Sequence, residues 1–187
     1  RACLGSGGGL STSSADTNQV SPALALHEAA RCGQLVVLQW LIARNADVRL
    51  RDAIGSAPLH LAALHGQAEA VAALLGAAAD PAAKDAQGSP PACLAAFGGH
   101  ISVVAHLLSA RAAICAQDAF HLTALHHAAH RGHAPLVRTL LAARADTAAR
   151  DDEGCTPLHL AARGYEDPET VAGVSFVPAL DANWAAV

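Results

Sequence analysis

Apolar residues return along this chain in a helical stripe that repeats every 33 residues. Val71, Leu74 and Leu75 stand at i, i+3 and i+4, and the spacing recurs at Val104, Leu107 and Leu108 and at Val137, Leu140 and Leu141, with Leu38 one step earlier. Side chains three and four apart share one face of an α-helix, so each set predicts a helix with a single buried stripe. A glycine precedes each stripe, at Gly33, Gly66, Gly99 and Gly132, and predicts a turn. Before each turn a shorter run predicts a first helix, with Leu59, Ala62 and Ala63 inward and Leu158, Ala161 and Ala162 expected inward in the same way. Thr156 is placed to cap that last helix through its hydroxyl, and Pro157 suits the first helical position, where a missing N–H costs nothing. No helix pair can hide its own stripe, so each must pack on the next, and every buried Leu or Val then contributes roughly 1.5–3 kcal/mol.

The repeat is visible residue by residue. His27, His60, Cys93, His126 and His159 form one column, and Asp52, Asp85, Asp118 and Asp151 another. Ala57-Pro58-Leu59-His60-Leu61-Ala62-Ala63 and Thr156-Pro157-Leu158-His159-Leu160-Ala161-Ala162 are two copies of one phrase. This resembles the ankyrin repeat, a 33-residue unit with the signature T-P-L-H-x-A, a β-turn and two helices. The resemblance implies an all-α solenoid of stacked helix-turn-helix units joined by β-hairpin turns. Four complete repeats are expected at about 22–51, 52–84, 85–117 and 118–150, with a partial fifth from 151, so that the array runs over 22–163. Residues 1–21, with Gly7-Gly8-Gly9, read as a flexible Gly/Ser-rich lead-in. Residues 164–187 read as a degenerate cap, improvised from Val174, Phe176, Leu180 and Trp184, or as a disordered tail.

Departures from the family pattern carry expectations too. The family closes its second helix with glycine in a left-handed conformation, but Asn45, Ala78, Arg111 and Arg144 occupy those positions. A non-glycine residue held there costs roughly 1–2 kcal/mol unless the turn relaxes. His121 replaces the hairpin glycine that Gly55, Gly88 and Gly154 keep, a second strained place. Repeat three replaces the Thr, Leu and His of the signature with Pro90-Pro91-Ala92-Cys93 and is expected to open first.

Composition narrows the class. Aromatic residues make up 3% of 187 residues, which suits thin helices in close stacking. No apolar run reaches the roughly 18 residues of a membrane span, so the chain reads as soluble. A formal net charge of −4 without a basic stripe gives no reason to expect nucleic acid. Five cysteines, Cys3, Cys32, Cys93, Cys115 and Cys155, lack C-x-x-C spacing and suggest no disulfide framework, which fits a reducing intracellular compartment, cytoplasm or nucleus. The chain starts at Arg1 and contains no methionine, so it is expected to be a fragment or a processed product.

Catalytic and metal chemistry are weakly supported. His27-Glu28-Ala29-Ala30-Arg31 has Arg31 where the second ligand of a zinc-protease H-E-x-x-H must stand. His126 and His130, at i and i+4, form a possible zinc pair within the cluster His126, His127, His130 and His133. The resemblance instead assigns His27, His60, His126 and His159 to a structural position that hydrogen-bonds a neighbouring repeat, and His100 and His133 to a second position at the turn. Helices pack about 8–10 Å apart, whereas zinc needs nitrogens within about 2.1 Å, so the column cannot converge on one ion. The reading is of a non-enzyme with no catalytic residues, no metal and no cofactor.

Binding is therefore the expected work. The resemblance places partners on the concave side, formed by hairpin tips and the exposed residues of helix one. Leu64, Phe97, Ile54 and Phe120 are large apolar groups at such positions, and Arg31, His65, His130, Arg131 and Arg163 lie on the same row. A partner presenting apolar anchors with some acidic residues would suit them. The alternative is that Leu64 folds onto repeat three and Phe120 onto a neighbouring hairpin. Trp40 belongs to the outer side of helix two, expected against the N-terminal segment or a preceding repeat. The sequence thus reads as a monomeric protein–protein interaction scaffold or adaptor, with no nucleic acid or membrane partner. The other reading is the recognition arm of a larger enzyme or channel, for example a ubiquitin-ligase substrate receptor.

Overall fold

The computed structural model describes residues 22–163. Helices come in pairs: α1 (Pro22–Arg31) with α2 (Leu35–Ala43), α3 (Pro58–Leu64) with α4 (Ala68–Gly76), α5 (Pro91–Phe97) with α6 (Ile101–Ser109), and α7 (Ala124–His130) with α8 (Ala134–Ala142). The last described helix is α9 (Pro157–Arg163). First helices pack in one row, α1 on α3, α5, α7 and then α9, and second helices in another, α2 on α4, α6 and α8. The connections are turns, and among the described residues pairing is limited to an isolated antiparallel bridge between Gln117 and Thr123. The expectations for residues 1–21 and 164–187 lie outside the described residues.

The core runs through both rows as one cluster, from Leu26 and Leu38 to Leu136 and Leu140. Its second-helix stripe is shifted by one residue from the sequence expectation. Ala70, Val103 and Leu136 are fully buried beside Val71, Val104 and the half-buried Val137, whereas Leu75 and Leu108 are half-buried and Leu141 is exposed. A helix held between two neighbours needs two narrow apolar edges rather than one face, and small residues such as Ala70 supply the second.

The five copies of the signature do not share one environment. Leu59, Ala62 and Ala63 are buried, but the equivalent Leu158 is 77% exposed and Ala161 and Ala162 are exposed too, contrary to the expected inward orientation. These positions face the next repeat, and α9 is the last described element. Leu160, which faces back towards α7, is buried.

Every helix pair ends in the same hydrogen-bonded turn. At the close of α2 the Asn45 N–H donates to the Ile42 carbonyl (2.9 Å) and the Ala46 N–H to the Leu41 carbonyl (3.1 Å). The same two bonds follow α4, α6 and α8, and they hold Asn45, Ala78, Arg111 and Arg144 left-handed at φ 58–63°. The turn does not relax to spare the non-glycine residues, because relaxing would orphan two carbonyls at once. His121 is likewise left-handed, at φ 59°.

Repeat three is built differently rather than poorly. In other repeats the imidazole caps its own helix: the N–H of Ala57 donates to Nδ1 of His60 (3.2 Å), that of Thr123 to His126 (3.1 Å) and that of Thr156 to His159 (3.2 Å). The Thr156 hydroxyl, expected to cap the helix itself, lies 2.7 Å from the same imidazole nitrogen instead. Pro90 has no N–H, so no acceptor is required at position 93. Cys93 keeps only the other half of the task, its thiol pointing at the carbonyls of Ala116 and Leu122, both at 3.7 Å. Residues 90–96 are all buried. The two departures therefore compensate, which predicts coupling between them. Pro90→Thr alone creates a buried N–H with no acceptor, while Pro90→Thr with Cys93→His restores the cap. In a double-mutant cycle measured by urea unfolding the pair is expected to be about 1 kcal/mol more stable than the sum of the single changes; additive effects would contradict this account.

Candidate partner-binding face

Three ladders of hydrogen bonds make the first-helix row rigid. In the first, imidazoles link neighbours: Nε2 of His27 to the Ser56 carbonyl (3.0 Å), of His60 to the Ala83 carbonyl (2.9 Å) and of His126 to the Cys155 carbonyl (3.3 Å). Where Nδ1 accepts a backbone N–H, as in His60 and His126, Nε2 must carry the proton and donate, so one neutral tautomer is selected. In the second, each turn donates backwards: Gln67 Nε2 to the Arg31 carbonyl (3.2 Å), His100 to Leu64 (3.0 Å) and His133 to Phe97 (3.2 Å). The ring of His133 packs so closely under Gly99, at φ +76°, that a Cβ there would lie 2.8 Å from it. In the third, the aspartate column closes the hairpin tips. Oδ1 of Asp52, Asp85, Asp118 and Asp151 each accepts two backbone N–H groups, for Asp118 those of Phe120 and Leu122, both at 2.9 Å.

The imidazole ladder makes stability depend on pH. Burial is the main cause that holds His60 and His126 below the ordinary histidine value of 6.5, outweighing nearby carboxylates and carbonyls. The unfolded chain then takes up protons near pH 6.5 that the folded chain still refuses. Stability is therefore complete above that pH and is lost as pH falls through the window below it. Asp118 acts lower down: burial opposes its ionisation, but hydrogen bonds from His127 and from the Phe120 and Leu122 N–H groups outweigh this and hold it below its ordinary 3.8. A melting temperature that falls between about pH 7.5 and about pH 5 is expected; one that stays flat or rises would contradict the buried neutral histidines.

On this frame the expected site residues take distinct roles. At the centre the Arg131 guanidinium lies 3.7 Å over the Phe97 ring, and His127 meets that ring edge-on, with centroids 6.1 Å apart at 78°. Phe97, Leu64 and Ile54 are half-buried, and Phe120 is 45% exposed at a hairpin tip whose carbonyl accepts the Asp152 N–H (3.2 Å). Arg31 is paired with Glu28 (2.7 Å) and Arg163 with Glu153 (3.0 Å). Burial, then Arg31 and His100, lowers the pKa of His65; burial, then Arg131 and His127, lowers that of His130. His130 Nδ1 is buried and makes no hydrogen bond within the described residues. The structure thus brings Phe97 and Arg131 together and ties both flanking arginines to carboxylates.

His127 and Asp118 support this centre, although the sequence marked them only as members of a histidine cluster and an aspartate column. Nε2 of His127 lies 2.9 Å from Oδ2 of Asp118, which fixes the ring beside Phe97. The signal was a broken column: His127 stands where Leu61, Leu94 and Leu160 stand in their repeats. Other exposed apolar groups lie elsewhere, on α2, where Val36 is 81% and Trp40 52% exposed. Among the described residues Trp40 meets Arg44, 4.1 Å above its ring, and the expected contact with the N-terminal segment lies outside the described residues.

No group of three His, Cys, Asp or Glu side chains among the described residues is placed to hold a metal ion. Both ring nitrogens of His126, half of the possible zinc pair, are engaged in the ladder. No helix among the described residues is long and apolar enough to cross a membrane.

Comparison with known proteins agrees with this architecture. The family model described as ankyrin repeats matches in three copies, over residues 9–85, 26–118 and 92–172. Among curated proteins none matches. With paired helices, stacked rows, left-handed helix ends and a matching family model over most of its length, the chain belongs to the ankyrin repeat family, whose repeats are generally protein–protein interaction modules.

Proposed function

We propose that this chain is a non-catalytic scaffold or adaptor that binds a protein partner through the concave face of its ankyrin stack. Leu64, Phe97, Phe120, His130 and Arg131 form the centre of contact, flanked by Ile54, His65, Arg31 and Arg163. One observation carries the reading: a half-buried aromatic ring and an arginine are held together on hydrogen-bonded helices, which is how interface hot spots are built. The chemistry elsewhere points the same way. Ladder histidines have their nitrogens on backbone groups, and burial pushes the Cys93 thiol far above its ordinary value, away from a reactive thiolate. The groove lined by Ile42, Asn45, Val48, Arg49 and Ala78 is open to solvent and contains no histidine or cysteine.

The test is Phe97→Glu combined with Arg131→Glu. Proteins retained by the immobilised chain from a native cell extract are identified by mass spectrometry and compared between the two forms. Loss of a hot-spot pair is expected to weaken the specific partner by about thirtyfold or more, with helicity and melting nearly unchanged. A partner held equally by both forms would place the interface elsewhere.

A further inference from the structure

The second-helix row starts with an open apolar edge. Ala70 of α4, Val103 of α6 and Leu136 of α8 are at most 1% exposed, each helix being packed on the one before it. Val37 holds the same place in α2 and is 41% exposed, next to Val36 at 81% and Trp40 at 52% even with Arg44 over its ring. Gln39 is the one polar residue of α2, and a helix apolar on all sides is one that neighbours bury. The first-helix row starts differently. Where Leu61, Leu94 and Leu160 are buried, α1 has Glu28, exposed and paired with Arg31, and Leu24 is its one exposed large apolar residue. An array ends safely on a polar outer face, which α1 largely has and α2 lacks. The place left open is therefore that of a second helix without its first.

The sequence just ahead of α1 carries the end of such a helix. Leu41, Leu74 and Leu140, each buried, are followed five positions on by Ala46-Asp47, Ala79-Asp80 and Ala145-Asp146. That alanine N–H donates to the leucine carbonyl (3.0–3.1 Å), and the aspartate Oδ1 accepts the N–H two residues later (2.8–2.9 Å). Leu10 with Ala15-Asp16-Thr17 has the same spacing, and Leu140 with Ala145-Asp146-Thr147 has the same wording. The family match already begins at residue 9. Gly7 stands where Val71 and Val137 would, so the likeness covers the helix end and not a whole helix. The connection that follows is also shorter, since His27 comes 11 positions after Asp16 and His60 comes 13 after Asp47.

We infer that residues 9–20 seat on this edge as a half repeat, with Leu10 against Val37 and Trp40. Because the segment is joined to α1, it meets the edge at an effective concentration on the order of millimolar, which a second copy at micromolar concentration does not match. The test uses the full chain with Trp184→Phe, in which Trp40 is the one tryptophan. Relative to this parent, Leu10→Asp is expected to move Trp40 emission to longer wavelength and to raise its quenching by acrylamide about twofold or more. Leu4→Asp, outside the shared phrase, should change neither. A synthetic peptide of residues 1–21 at about 1 mM should reverse the change in the Leu10→Asp chain, whereas the same peptide carrying Leu10→Asp should not. Circular dichroism of parent and variants checks that the fold is intact. Equal quenching in the parent and Leu10→Asp overturns the proposal, as does an equal response to Leu4→Asp. Protection of Trp40 that grows with chain concentration gives the edge to a second copy and overturns it too.

Discussion

Leu59→Ala is expected to destabilise the chain by about 2–5 kcal/mol, whereas Leu158→Ala changes its stability by less than about 0.5 kcal/mol. The two leucines occupy the same place in the same phrase, P-L-H-L-A-A. Leu59 is 1% exposed, between its own helix pair and the next, so truncation leaves a cavity that the close-packed first-helix row cannot collapse. Leu158 is 77% exposed and truncation there removes little from contact. Urea unfolding of the two variants gives the comparison directly. Equal costs would mean that the outward side of α9 is covered as fully as that of α3, and the ledger of buried positions would need to be redrawn.

The second large effect is a gain. Ala78→Gly, Arg111→Gly and Arg144→Gly, combined in one chain, should raise stability by about 2 kcal/mol and the melting temperature by roughly 4–8 °C. Each residue is left-handed, at φ 61°, 62° and 63°, and is held so by the two bonds that close its helix. Removing the Cβ relieves about 1–2 kcal/mol at each site, offset by about 0.5–1 kcal/mol for the greater freedom of glycine in the unfolded chain. The sites lie in successive repeats and each closes its own helix, so their effects should add. Asn45→Gly is the control, since asparagine tolerates this conformation and little is gained. If the triple variant melts at or below the parent temperature, the strain is not where the dihedral angles put it.

Much of the fold was legible in the sequence because each module solves the same local problem. The 33-residue column, the turn glycines and the stripe of Val71 and Leu74 predict helix pairs without knowledge of their neighbours. The left-handed helix ends were legible for the same reason, since the end of a helix is closed by bonds within five residues. The candidate face was legible only in outline. Its residues were named from their phase, but the pairing of Arg131 with Phe97, and the support of that ring by His127 and Asp118, joins residues from adjoining repeats.

By itself, then, the sequence determined the kind of module and the family it resembles, because propensity, turn chemistry and helical period act over a few residues. Only the tertiary structure decided which copies of a shared motif are buried. It also showed that Cys93 suits a helix beginning at a proline without an N–H, and that the aspartate column is turned onto the backbone N–H groups of its own hairpins. Burial, hydrogen-bond pairing and local charge are properties of what lies across the interface between repeats, and no single repeat carries that information.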